Sequence, residues 1–265
     1  MKARVLGVVV LAAIVAGVLA YTAARDAAAA LPPFPSISPL CHRADFPSRG
    51  RTVRAALCRA PGATRLPAMI VLHGCGGFGG IDEVLARYLP QHGIATLYVD
   101  YFGLTPPPGK HGFCDAGMRI GSAFPVWQRI VVDAAAALSR APGIDPGHVG
   151  VLGWSLGGGL ALATAQYGAR STPLRRSRFR VVVVLSAYDD SSNVGALPPT
   201  LVLSGGSGDA VPVANALALY AALRRAHVPA VLHVYPHGNH FWRKRQGIAA
   251  ERWTLAFLGR YLGSS

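Results

Sequence analysis

The sequence predicts an α/β fold, a mostly parallel central sheet with helices on both faces. Short apolar runs rich in Val, Ile and Leu alternate with longer helix-like stretches, the order that builds a parallel sheet. The run at 68–73 is apolar almost throughout, as expected of a strand covered on both faces. The residues with chemical potential sit just beyond strand ends, where ligands bind in such sheets.

Taken in order, 52–57 reads as an edge strand and 68–73 as a central one. Residues 81–92 read as a helix stopping near Gly93, and 94–100 as the next strand. A loop rich in Pro and Gly follows, long enough to line or cover a pocket. A helix is expected over 123–140, ended by Pro142-Gly143. Strands are expected at 149–153, 179–185, 200–203 and 230–235, and helices at 156–167, 214–226 and 249–262.

The first 30 residues are set apart from a domain over 31–265. Lys2 and Arg4 precede an apolar run over 5–21, the layout of a signal peptide, with Val18 and Ala20 before a cleavage point at Tyr21. An uncleaved membrane anchor is the other reading, since the run approaches the roughly 20 residues a span needs. Leu31-Pro32-Pro33-Phe34-Pro35 then breaks the chain. Either reading puts the domain outside the cytoplasm, periplasmic or secreted, with membrane contact only through the leader.

The chain has 26 basic and 12 acidic residues, a formal charge of +14. The bases gather in two short clusters, Arg170, Arg175, Arg176, Arg178 and Arg180, then Arg243, Lys244 and Arg245. No nucleic-acid-binding signature accompanies them, so they read as solvated surface, and no nucleic-acid partner is expected. Four cysteines allow three pairings that sequence cannot decide between; Cys41–Cys58 with Cys75–Cys114 is the favoured set. No C-x-x-C spacing or cofactor motif is present, and neither metal nor cofactor is expected.

Gly153-Trp154-Ser155-Leu156-Gly157 fits G-x-S-x-G, placed between a strand and a helix as that motif requires. The sharp turn presents Ser155 at a helix N-terminus, where the dipole favours developing negative charge. In a chain of 31 glycines the pattern alone is weak, and a helix-capping serine would also fit; its position between strand and helix points to a nucleophile. A serine hydroxyl needs a base, and the base an acid, in the chain order Ser, Asp or Glu, His. Asp209, in a glycine-rich turn after the strand at 200–203, is the expected acid; Asp189 and Asp190 are the rivals. His240 is the expected base, with His237 in the same loop the alternative. Asp209 would fix the imidazole's tautomer. The loop His73-Gly74-Cys75-Gly76-Gly77 follows the strand at 68–73, so the amides of Cys75 and Leu156 are the expected oxyanion-hole donors. Trp154, Tyr101, Phe102, Phe241 and Trp242 are expected to line the substrate pocket, with core packing the other reading for each. His73 reads as a structural histidine.

The chain resembles the dienelactone hydrolase family of the α/β-hydrolase superfamily. The resemblance runs from about residue 68 to the C-terminus. It rests on the 73–77 loop, Val99-Asp100-Tyr101-Phe102-Gly103, the elbow at 153–157, Gly208-Asp209 with Val211-Pro212, and Tyr235-Pro236 with His240-Phe241. It implies an α/β-hydrolase fold and the triad positions. Family members that open dienelactones carry cysteine as nucleophile, whereas this chain has Ser155, as in the esterase branches. The expectation is hydrolysis of a small-molecule ester or lactone through an acyl-enzyme. A peptidase or acyltransferase using the same triad, and a non-catalytic exported binding protein, are the alternatives. The sequence does not give the oligomeric state.

Overall fold

The computed structural model describes residues 39–62, 64–105, 111–114, 120–121, 123–168, 179–188, 193–207, 210–240 and 244–263. The leader at 1–30, with its apolar run at 5–21, lies outside them, as do Asp189, Asp190, Asp209, Phe241, Trp242, Arg243 and four arginines of the first basic cluster, Arg170, Arg175, Arg176 and Arg178.

The strands are β1 (Cys41–Arg43), β2 (Phe46–Ser48), β3 (Arg51–Val53), β4 (Ala55–Cys58), β5 (Leu66–Leu72), β6 (Ala95–Val99), β7 (Ile144–Trp154), β8 (Val182–Leu185), β9 (Thr200–Gly205) and β10 (Ala230–Tyr235). The helices are α1 (Ile81–Tyr88), α2 (Ala123–Leu138), α3 (Leu156–Gly168), α4 (Val213–Arg225) and α5 (Lys244–Tyr261). Eight strands form one sheet in the order β1-β4-β6-β5-β7-β8-β9-β10; β2 and β3 form a separate hairpin. From β6 to β10 every pairing is parallel, while β1 and β4 run antiparallel at one edge.

The centre of the sheet follows from composition. Every residue of β5 is buried, and so is every residue of β6 and β8. A strand with no polar alternation must be covered on both faces. Gly150 in β7 leaves the space that the Met69 thioether fills: a Cβ there would stand 2.5 Å from Met69 Sδ.

The expected edge strand at 52–57 is two strands. The break falls at Arg54, whose guanidinium donates twice to the buried Asp100 carboxylate and whose carbonyl accepts from the Asp100 amide. β4 is interior, because β1, a segment with no apolar signal, pairs on its outer side. Cys41 and Cys58 lie opposite each other in that pairing and form a disulfide; Cys75 and Cys114 form the second. The favoured pairing is therefore the one present.

Register decides where the loops go. Leu72 pairs with Gly153, Trp154 with Leu185, Leu185 with Leu203, and Gly205 with Tyr235. β5, β7, β8, β9 and β10 thus end nearly level. The segments beginning at His73, Ser155, Ser186, Gly206 and Pro236 emerge along one rim of the sheet.

Beneath that rim lies a buried acid. Asp82, in the first turn of α1, accepts a hydrogen bond from the Tyr98 hydroxyl of β6. Burial pushes its carboxyl from an ordinary 3.8 up to about 8. Between those values the folded chain holds a proton that the unfolded chain has released, so the contribution of Asp82 to stability falls as pH rises from about 4 to 8. Asp82→Asn, neutral at every pH, is expected to flatten this fall. Melting temperatures of both proteins across that range test it; parallel profiles would contradict it.

Candidate active site

Ser155 has φ +54°, in the left-handed region that side chains other than glycine rarely adopt. Such strain persists only where surrounding structure enforces it. Here the Ser155 amide donates to Leu185 O at 2.8 Å, and Ser155 O accepts from Gly158 and Gly159 at 3.0 and 3.1 Å. The residue is pinned between β8 and the first turn of α3. The residues two before and two after it must be glycine. A Cβ on Gly153 would stand 2.1 Å from Gly157 O, and one on Gly157 would stand 2.4 Å from both Leu72 O and His73 O. These obstacles are backbone and have no rotamer to escape into. The close approach seats the start of α3, with the Leu156 amide, against the end of β5 and the loop beyond it.

That loop is held from several sides. Gly74 O accepts hydrogen bonds from His73 Nδ1 at 2.9 Å and from the Gly77 amide at 3.1 Å. A carbonyl only accepts, so Nδ1 carries the proton. Burial lowers the pKa of His73 to about 4, so the ring is neutral at ordinary pH. In a trans peptide the N–H points away from the carbonyl; anchoring Gly74 O therefore aims the Cys75 N–H the opposite way. Cys75 O in turn accepts from the Phe113 amide at 2.8 Å.

Tyr101 and Phe102, expected as pocket walls, are 0% and 1% exposed and present no surface to a substrate. Tyr101 stacks on His73 with ring centroids 4.1 Å apart and donates its hydroxyl to His73 O at 2.7 Å. Phe102 packs against Phe113 and Trp127. They support the loop from below. Their burial depends on partners remote in sequence, so position after a strand does not decide between pocket wall and core, and the structure places both in the core.

Trp154 ties three pieces together. It precedes Ser155, its indole N–H donates to His240 O at 3.1 Å, and its ring lies 5.2 Å from the His240 ring. Its ring edge also fills the space a Cβ on Gly74 would need, 2.8 Å away. The sequence reading of Trp154, pocket wall or core packing, does not show this bond to His240.

The loop carrying His240 is locked to the one leading towards Asp209. The Gly206 amide donates to Tyr235 O at 2.8 Å, and Ser207 to Gly238 O at 2.9 Å. A Cβ on Gly205 would stand 2.7 Å from Gly238 O and Asn239 O. Ala210, the residue after Asp209, accepts at 2.9 Å from the Tyr188 hydroxyl. Ser155 and His240 are 8% and 7% exposed. Sequence reasoning passed over Tyr188 and the His73–Gly74 bond; a histidine placed directly before a glycine-rich loop was the available signal for the second.

Comparison with known proteins agrees with this fold. A dienelactone hydrolase from Anabaena variabilis superposes with TM-score 0.64 at 22% identity, over 83% of this chain and 97% of that one. The chain has the α/β-hydrolase fold. Another protein of this fold, an acylaminoacyl peptidase from Pyrococcus horikoshii, matches with TM-score 0.65 at 13% identity, over 84% of this chain but 42% of that one. The model of the prolyl oligopeptidase family, also α/β-hydrolases, matches residues 167–265. An uncharacterized protein of Mycobacterium tuberculosis is 28% identical over 193 residues, 64% of this chain; the matched part also spans 64% of that relative.

Proposed function

We propose that the protein is a serine hydrolase of carboxylic esters or lactones. The observation that carries this is the left-handed Ser155 between two glycines that backbone contacts forbid to change. Strain of this kind is kept where a fold needs one side chain in one place. In this reading Ser155 attacks the carbonyl while His240 takes its proton, and Asp209 orients the imidazole. The amides of Cys75 and Leu156 hold the oxyanion. His240 then protonates the leaving alcohol, and water releases the acyl group by the reverse sequence. The interlocked 205–207 and 235–240 segments, with Trp154 donating to His240 O, support the grouping of acid, base and nucleophile.

A peptidase with the same triad is the second reading, favoured by the family match at 167–265. The ester reading is preferred because the likeness spans nearly all of a dienelactone hydrolase but under half of the peptidase. Export is part of the proposal, supported by two disulfides in the domain and the basic and apolar leader. The test is a panel of p-nitrophenyl esters, lactones and peptidyl anilides given to the purified full chain. Ester or lactone turnover with anilides inert is expected. Anilide cleavage exceeding ester cleavage would overturn the preference.

A further inference from the structure

We propose that the Cys75–Cys114 disulfide is a reducible positioning element of the oxyanion loop, so that the enzyme is fully active only while this bond is closed. The inference rests on the serine-hydrolase reading above. The disulfide joins the residue whose amide is assigned to the oxyanion to a turn, Gly112–Cys114, in the long connection between β6 and α2.

The turn is fitted to the loop. Phe113 donates to Cys75 O, and Gly112, at φ +69°, leaves room that a Cβ would fill to 2.2 Å from the same oxygen. Phe113 itself is buried against Phe102 and Trp127. The disulfide therefore fastens Cys75 to the aromatic core beneath the site. With the bond open, one backbone hydrogen bond and the contacts of Gly112 would hold the 75–76 peptide on that side. An oxyanion donor works because its direction is fixed before the reaction, so a loosened loop costs rate.

Accessibility separates the two disulfides. Cys114 is exposed and Cys75 half-buried. In the second bond Cys41 is half-buried like Cys75, but its partner Cys58 is 0% exposed within the sheet, between β1 and β6, so neither residue is as open as Cys114. A dithiol such as dithiothreitol should therefore reach the first bond and spare the second. Its thiolate attacks Cys114 Sγ, the S–S bond breaks and Cys75 leaves as a thiolate. The reagent's second thiolate then displaces Cys114 from the mixed disulfide. The protein gains two thiols by two electrons, and the reagent becomes a cyclic disulfide.

The experiment uses the full chain, titrated with dithiothreitol. Alkylation and peptide mass mapping report which cysteines open, and kcat and KM are measured on a p-nitrophenyl ester. Cys75 and Cys114 should open first. With them kcat should fall about tenfold or more, towards the roughly 100-fold expected for loss of a donor, while KM stays within about twofold. Reoxidation should restore kcat. The double variant Cys75→Ser with Cys114→Ser should match the reduced protein and ignore the reagent. Cys41→Ser with Cys58→Ser should keep the wild-type response. Should the first variant fail to fold, the titration of the native protein decides alone. Mapped opening of Cys75–Cys114 with kcat unchanged, or opening of Cys41–Cys58 first, overturns the proposal. A native, oxidised protein that turns over no ester defeats the hydrolase reading itself before any reductant is added, and the proposal with it.

Discussion

Replacing Ser155 with alanine is expected to lower kcat on an ester substrate by about a millionfold, the usual cost of removing a triad nucleophile. That corresponds to about 8 kcal/mol of barrier. The fold should hardly notice. The hydroxyl is not among the groups that pin this turn; the backbone is, through Leu185 O, Gly158 and Gly159. Alanine accepts the same left-handed strain serine does, so stability should change by no more than about 1 kcal/mol. Parallel kinetics and urea melts check both halves. Retained turnover would remove Ser155 from the chemistry. Lost stability would mean that its side chain is part of the packing.

Gly157→Ala is expected to do the opposite and damage the fold first. The added methyl would sit 2.4 Å from two consecutive carbonyl oxygens at the end of β5. Relief requires α3 and the β5 terminus to separate by roughly an ångström. Overpacking of this kind costs about 3 kcal/mol when the obstacle cannot move. The displacement also pulls the Leu156 amide from the 73–77 loop, and a shift of that size costs about 100-fold in rate. A urea melt and kcat on one preparation would test this. A variant with native stability and native kcat would show that the helix start does not need this contact.

Much of the framework was legible because it depends on local pattern. The apolar runs of β5 and β7 and the strand–glycine–serine–helix order at 149–157 placed Ser155 where it stands. The loops after β9 and β10 were legible for the same reason; their interlocking through Gly205, Gly206 and Gly238 was not, because it depends on the two strands lying side by side. Features set by partners distant in sequence were not legible. β1, a Cys-His-Arg segment, is a strand only because β4 lies beside it. Tyr101 and Phe102 are core because Trp127 and Phe113 cover them. α5 starts at Lys244 rather than near 249, since a basic stretch gives no apolar period to mark the first turn. The burial of Asp82 against Tyr98 comes from the neighbouring strand, a partner that the sequence around the helix start does not show.

Covalent labelling tests the central claim most directly. A fluorophosphonate reacts with a serine only where a base activates it and donors hold the phosphoryl oxygen. Incubated with the full chain and mapped by peptide mass spectrometry, it is expected to add once, at Ser155. Labelling should vanish in His240→Ala and Ser155→Ala. An unlabelled protein, or an adduct at any other residue, would contradict the account.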